Sequence, residues 1–329
     1  MSYSQGGLIA ASDYNGFVGT ATTSSTINYV WSTGNGQFGY GQSALSQAAT
    51  TAGLVTAAQW ATAINTLDNI LTHQTGSGSS NVALPTAGTL ITYLSAISSD
   101  ITTINTNKLN FGTQGATVTG TTFSPPETVA NTNVAVTFST VRSATFASAD
   151  QARYFFNAGG QLNFVISSVT NNDGTARSGD LVTLLQGNLG GITAFRALTN
   201  GGRTGSGGTV NTNLTNIGYY GLTTSNVTIQ QITSTTSGYT SDYVNVAVKT
   251  NGVQGSNADN GSVISFALNM YSNSRTPITA PTWGGAGVPP TVNIVVNDSI
   301  NITVNHRIDV VYPELTNLTS NTWGAVTIT

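Results

Sequence analysis

The residues able to move protons are few and far apart. The chain holds two histidines, His73 and His306, and its only glutamates are Glu127 and Glu314. General acid–base catalysis needs titratable groups within hydrogen-bond reach of each other, and glycoside hydrolysis needs two carboxylates facing one another across a groove. No short motif in the sequence supplies such a pair. His73 falls near the end of a predicted helix, where a cation interacts favourably with the helix dipole. His306 falls on the apolar face of a predicted strand. Both are read as structural. There is no cysteine, which excludes disulfides, thiolate metal sites and cysteine nucleophiles. The expectation is no catalytic residue, no cofactor and no metal site.

Two polar segments imitate ligand sites. Gly201-Gly-Arg-Thr-Gly-Ser-Gly-Gly208 resembles a phosphate cradle but lacks the Lys-Ser/Thr ending and the strand–helix setting that such a loop requires. It reads as a surface loop with Arg203 at its tip. Asn171-Asn-Asp-Gly174 offers oxygen ligands, but EF-hand spacing and a closing glutamate are missing. It reads as a hairpin turn. The remaining recognition chemistry is aromatic and amide-based. Arg203, Tyr219, Tyr220 and Trp283 fall in predicted loops and are the candidate ligand contacts, for a glycan or for another subunit.

The elements that would position these residues change character along the chain. Residues 1–112 read as helical with glycine-rich joints, and residues 113–329 as a β-rich domain. Ser12-Asp13 can cap a short helix containing Tyr14 and Phe17. The run from Ser32 to Gln42 is glycine-rich, and its Phe38 and Tyr40 read as packing anchors. A longer helix starts after Thr56 and stops before Gly76. Its apolar residues Trp60, Ile64, Leu67 and Leu71 form one stripe. A second segment carries Leu90, Leu94, Ile97, Ile101 and Ile104 at heptad-like spacing. The other faces of the second segment are Thr, Ser and Asn, poor helix formers, so that helix needs partners. The two stripes could pack on each other as a hairpin or form a seam between copies of the chain. The bare polar faces favour the oligomer seam.

In the second region the period becomes two. Ile300, Ile302, Val304, Ile308 and Val310 share one face of a long strand, with Asn301, Thr303, Asn305, Arg307 and Asp309 alternating. Val292, Ile294 and Val296 precede it across Asn297-Asp298-Ser299, which reads as a hairpin. Further strands are expected over 162–166, 243–248 and 263–270, with Asp173-Gly174 and Asn260-Gly261 as turns. The expected fold class is α+β: an N-terminal helical segment with heptad-like stripes, then a mainly antiparallel β-sandwich-like domain.

Charged residues make up 6% of the chain and the net charge is −3, against about 25% charged in an ordinary soluble domain. A surface with so few charges does little to keep copies apart. A homo-oligomer is expected, with a trimer favoured. Nine Lys and Arg residues form no basic stripe, so nucleic-acid binding lacks its electrostatic footprint. No apolar run reads as a membrane span, and the first residues do not read as a secretory signal.

Ala152-Arg-Tyr-Phe-Phe-Asn-Ala-Gly-Gly160, with Phe146-Ala-Ser-Ala-Asp150 before it, resembles a segment of virion structural and tail-fibre-like proteins of T4-like cyanophages. Ala11-Ser-Asp-Tyr-Asn15, Gly39-Tyr-Gly-Gln42 and Val55-Thr-Ala-Ala-Gln-Trp60 fit the same pattern. The similarity ends near residue 200. It implies a particle component, located in a tail or fibre, and no catalytic residues. Three functions follow as expectations: a virion tail or fibre protein with a role in host attachment, an extracellular filament or surface-layer subunit, and a glycan depolymerase. The first is favoured, and the protein is expected not to be an enzyme.

Overall fold

In the computed structural model, residues 11–48, 55–78, 82–84, 94–123, 126–132, 134–257, 259–274, 280–281, 291–292 and 298–329 are described. Two short helices, α1 (Ala11–Val18) and α2 (Ile27–Trp31), lead into α3 (Ala57–Thr75). The start of α3 is a capping box: the Thr56 hydroxyl accepts from Gln59 N–H, and the Gln59 side chain accepts from Thr56 N–H. Its end is Gly76, in the left-handed conformation that terminates many helices. Helix α4 (Leu94–Thr106) returns against α3.

Together, the strands form two antiparallel sheets. The first contains β1 (Gln114–Val118), β2 (Glu127–Thr132), β4 (Gln161–Asn171), β5 (Ile192–Phe195) and β12 (Ser299–Pro313). Its order is β1-β12-β4-β5, and β2 shares with β1 the outer edge of β12. The second contains β3 (Val136–Thr145), β6 (Thr209–Asn213), β7 (Val227–Thr233), β8 (Tyr243–Thr250), β9 (Val263–Ser272) and β13 (Thr327–Ile328), in the order β13-β3-β9-β8-β7-β6. The short strands β10 (Ala280–Pro281) and β11 (Thr291–Val292) pair only with each other. Helix α5 (Ala149–Asn157) links β3 to β4. Helix α6 (Ala176–Val182), extended by one π-helical turn over Thr183–Asn188, links β4 to β5.

Alternation brings apolar residues of both sheets into one core. Val244, Val246, Val248, Ile264, Phe266, Leu268 and Met270 are buried on one side of β8 and β9. Ile300, Ile302, Val304, Ile308 and Val310 are buried on β12, and His306 lies with them. Phe164 of β4 stacks on Phe266 of β9 at 5.7 Å, and Phe195 meets the same ring edge-on at 5.6 Å. The strands expected over 162–166, 243–248 and 263–270 all form.

Three expectations need correction. Ile302 to Val304 are flanked by β2 on one side and β4 on the other, so no edge is left there for a hairpin with residues 292–296. Ile294 and Val296 themselves lie outside the described residues. Asn171–Gly174 is a strand-to-helix turn rather than a hairpin. Asn171 Oδ1 accepts from Gly174 N–H, Asp173 Oδ1 accepts from Thr175 N–H, and Thr175 then caps α6. Thirdly, the helical stripes do not form a free seam. Trp60, Ile64, Leu67, Leu71, Ile97, Ile101 and Ile104 are all at most 5% exposed within one chain. Ile97 meets Trp60, Ile64 and Leu67 around one apolar contact, with Phe17 and Ile27 closing it. The stripes thus use each other and the two short helices as partners. Leu94 opens α4, and Leu90 lies outside the described residues.

Among the described residues the strands all follow residue 112, with α5 and α6 set between them, and packing crosses the change of period. The buried apolar cluster runs without a break from Ala11 to Trp323. Gln42 Oε1 accepts from Thr319 and Ser320 backbone N–H groups, both at 3.0 Å, and its Nε2 donates to Ser320 C=O at 3.0 Å.

Candidate functional site

Two of the segments that carry the resemblance stated above, 39–42 and 146–160, meet in one joint. Helix α5 starts at Ser148, whose hydroxyl accepts from Gln151 N–H. Its fully buried Arg153 donates to Asp150 Oδ1 at 3.0 Å and to Phe38 C=O at 2.7 Å. Asn157 donates to Gly36 C=O and Gly39 C=O at 3.3 and 3.1 Å. The glycine-rich loop is therefore fastened through its carbonyls to one helix face. Tyr40 is fully buried beside it, accepting from Gln74 Nε2 at 2.9 Å.

Two of the expected ligand contacts belong to this joint. Tyr219 is fully buried and stacks on Phe156 at 4.6 Å. Tyr220 places its hydroxyl 2.7 Å from Gly36 C=O and 2.5 Å from Asn157 Oδ1. Both are packing anchors, because the loop that carries them folds inward onto α5. Arg203 donates to the carbonyls of Asn188 and Gly207, at 3.0 and 2.8 Å, and so closes its own loop. Trp283 lies outside the described residues.

The histidines are buried and neutral. Desolvation pushes His73 down to about 4, against the smaller opposing pull of its hydrogen bond to Ala158 C=O at 3.1 Å. A neutral ring brings no cation to the end of α3, which corrects the dipole expectation. Desolvation also lowers His306 to about 4; Arg142 adds to the effect and Glu127 opposes it. Around His306 the polar groups form a chain. Its Nε2 lies 3.5 Å from Thr140 Oγ1, Thr140 donates to Glu127 Oε1 at 3.1 Å, and Arg142 donates to the same oxygen at 2.7 Å. Desolvation pushes the Glu127 carboxyl up, but the hydrogen bonds from Arg142 and Thr140 outweigh it and hold the group below its ordinary range. The guanidinium neutralises the carboxylate and Thr140 is buried, so the chain ties β2, β3 and β12 together. Among the described residues, no three His, Asp or Glu side chains gather as a metal site, and no helix is long and apolar enough to cross a membrane.

The surface that sequence reading missed is the outer face of the six-stranded sheet. Opposite the buried valines, β8 carries the half-buried Tyr243, Asn245 and Lys249, with the buried Ala247 among them. Its neighbour β9 carries Tyr271, Asn269, Ala267 and Ser265. The antiparallel register pairs Tyr243 with Tyr271, Asn245 with Asn269 and Ala247 with Ala267. Like faces like: the tyrosine rings stack at 5.3 Å, and Asn269 Nδ2 donates to Asn245 Oδ1 at 2.7 Å. The rows continue onto β3 through Thr137, Ser139, Val141 and Ser143, where Ser143 and Ser265 hydroxyls lie 2.9 Å apart. Lys249 is the one ionisable group among these positions besides the tyrosine hydroxyls. The signal was present as outward Tyr-Asn-Ala in one strand and Ala-Asn-Tyr in the next; recognising it needs the register. Compared with protein-family models, curated proteins and solved structures, the chain matches none.

Proposed function

We propose that this protein is a non-enzymatic structural component of a phage particle, in its tail or a fibre. It assembles with copies of itself, as a trimer, and with other particle proteins, and any contact with a host-surface glycan is reversible. The observation that carries this reading is the outer sheet face, which offers rows of amides and hydroxyls on either side of the buried Ala247–Ala267 pair, with Lys249 as the sole cation among the positions named above. Two such faces can meet while desolvating few charges, the step that makes polar interfaces costly. The resemblance to cyanophage virion proteins supports the same reading, since its residues build the joint around Arg153 and Asn157. The chain also spends charged groups on holding itself together: Arg177 is fully buried and donates to Ser272 Oγ and to the carbonyls of Val134 and Asn273.

The finer architecture belongs to this proposal as well. We read the two sheets as layers of a sandwich, supported by the Phe164–Phe266 stack between them. The heptad-like stripes of α3 and α4 then serve as an internal helical hairpin.

Electron microscopy and light scattering of the purified chain test the reading. Discrete trimers at micromolar concentration are expected. Long filaments would favour a filament or surface-layer subunit, and a monomer would remove the assembly argument. Shortened host polysaccharide after prolonged incubation would make the protein a depolymerase.

A further inference from the structure

A cleft of about 230 Å³ opens beside Arg196, between the end of α5, the segment after α4 and the turn that follows β5. We propose that it binds one carboxylate-bearing sugar unit of an acidic glycan. The proposal rests on the particle reading only in preferring a glycan to a peptide.

Arg196 is held from both sides. Its backbone closes a turn, with Arg196 N–H donating to Thr199 C=O and Tyr219 N–H donating to Arg196 C=O, each at 2.9 Å. Its Nε–H donates to Gln161 Oε1 at 2.5 Å, and Gln161 is itself fixed by donating to Asn163 Oδ1 at 2.5 Å. The guanidinium carbon stands 5.7 Å from the centre of the Phe111 ring. That ring can lie there because residue 159 is glycine: a Cβ on Gly159 would come within 2.6 Å of it. Rotation of the guanidinium is thus restricted, while Nη1 and Nη2 make no hydrogen bond to protein among the described residues.

The lining selects the ligand. Among the described residues Arg196 is the one ionisable side chain on the cleft wall, so that wall is cationic. A guanidinium edge matches a carboxylate with two parallel hydrogen bonds. Phe111 and Leu198, the latter 44% exposed, offer apolar surface to the C–H face of a sugar ring. Asn110 and Thr199, both exposed, provide an amide and a hydroxyl for its hydroxyl groups. The volume falls below the roughly 300 Å³ at which drug-sized sites begin. It therefore suits a single unit, at a chain end or a branch.

Calorimetric titration of the intact chain with trigalacturonate, and with the neutral galactose trisaccharide, tests this. The acid should bind and the neutral sugar should bind at least about tenfold more weakly, the loss expected for one charge-assisted pair. Arg196→Gln should lose the acid by a similar factor, while Arg203→Gln, outside the cleft, should not. A melting curve for each variant separates lost binding from lost folding, and Phe111→Leu should weaken the acid while leaving the cation in place. Equal binding of acid and neutral sugar, or acid binding unchanged in Arg196→Gln, would overturn the proposal. So would no binding of trigalacturonate, including the case in which acetyl-leucyl-alanine binds through Arg196 and marks the cleft as a seat for a protein C-terminus. Trigalacturonate bound through Arg196 by a chain that stays monomeric would leave this inference standing and the particle reading failed.

Discussion

Gly41 lies against the ring of Tyr154, so closely that a Cβ on Gly41 would come within 2.5 Å of Tyr154 Cδ2. Two residues of the phage-like pattern, distant in sequence, are thereby fixed to each other. Gly41 also has φ +72, in the left-handed region that costs other residues about 1–2 kcal/mol. The ring cannot easily move, since it is buried and the Arg153 guanidinium sits 4.8 Å above it. Gly41→Ala should therefore destabilise the fold by about 2–4 kcal/mol, adding backbone strain to overpacking. Urea unfolding of the two proteins measures this, and an unchanged midpoint would contradict the packing.

Acidification should destabilise the protein well before its carboxylates titrate. The folded chain keeps His73 neutral down to about 4, whereas the ordinary value is 6.5. Between these values the unfolded chain binds the extra proton. The stability gained by keeping the ring neutral is complete above 6.5, declines as pH falls towards about 4, and is absent below that. For His73 the loss is of the order of 3 kcal/mol at the acid end. His306 acts with the same sign in the same window. Glu127 and Glu314, held below their ordinary 4.5, add a further loss only as pH falls below that value. Urea midpoints at pH 7 and pH 5 should therefore drop, and His73→Gln should flatten the dependence. A midpoint that rises on acidification would contradict burial of the neutral rings.

The helical stripe gives a sharper prediction as an internal contact than it did as a seam. Ile101 is 5% exposed within the chain. Ile101→Asp would bury a carboxylate with no partner and remove apolar contact, costing several kcal/mol, about 3–5. The expected result is loss of α3–α4 packing and a lowered melting temperature, seen by circular dichroism. Normal helix content with assembly alone abolished would restore the intersubunit seam.

What the sequence made legible was local. The helix start at Thr56, the stop at Gly76 and the alternation of β12 are set by neighbours a few residues away, and each forms as expected. Partner choice was not legible. The stripe of Trp60 and Ile64 could not declare whether its cover came from Ile97 of the same chain or from another copy. The pairing of β12 with β2 and β4 joins residues more than a hundred positions apart, and alternation says nothing about which strand is adjacent. Tyr219 and Tyr220 failed as ligand contacts for a related reason. An aromatic pair beside glycine reads the same whether the loop faces solvent or folds onto α5. Arg196 carried no motif at all; its setting is made by Phe111 and Gln161, which only tertiary structure brings together.

If subunits meet through the outer sheet face, a single charge there should separate assembly from folding. Asn269 is the best position. It is half-buried, its row lies midway between the tyrosine pair and the alanine pair, and its amide donates to Asn245 at 2.7 Å. Asn269→Asp keeps the shape, and Asn245 can turn its own amide to donate to the new carboxylate. Within the free chain the change should fall in the range of surface substitutions, within about 0.5 kcal/mol. In an assembly the carboxylate would be taken from water against amides, hydroxyls and methyl groups, with no cation in its own row, and the cost would be several kcal/mol. Light scattering should then report monomers for Asn269→Asp and for Ser139→Asp in the same row, with melting temperatures close to that of the parent. Oligomers that persist in the double variant would place the interface elsewhere on the molecule.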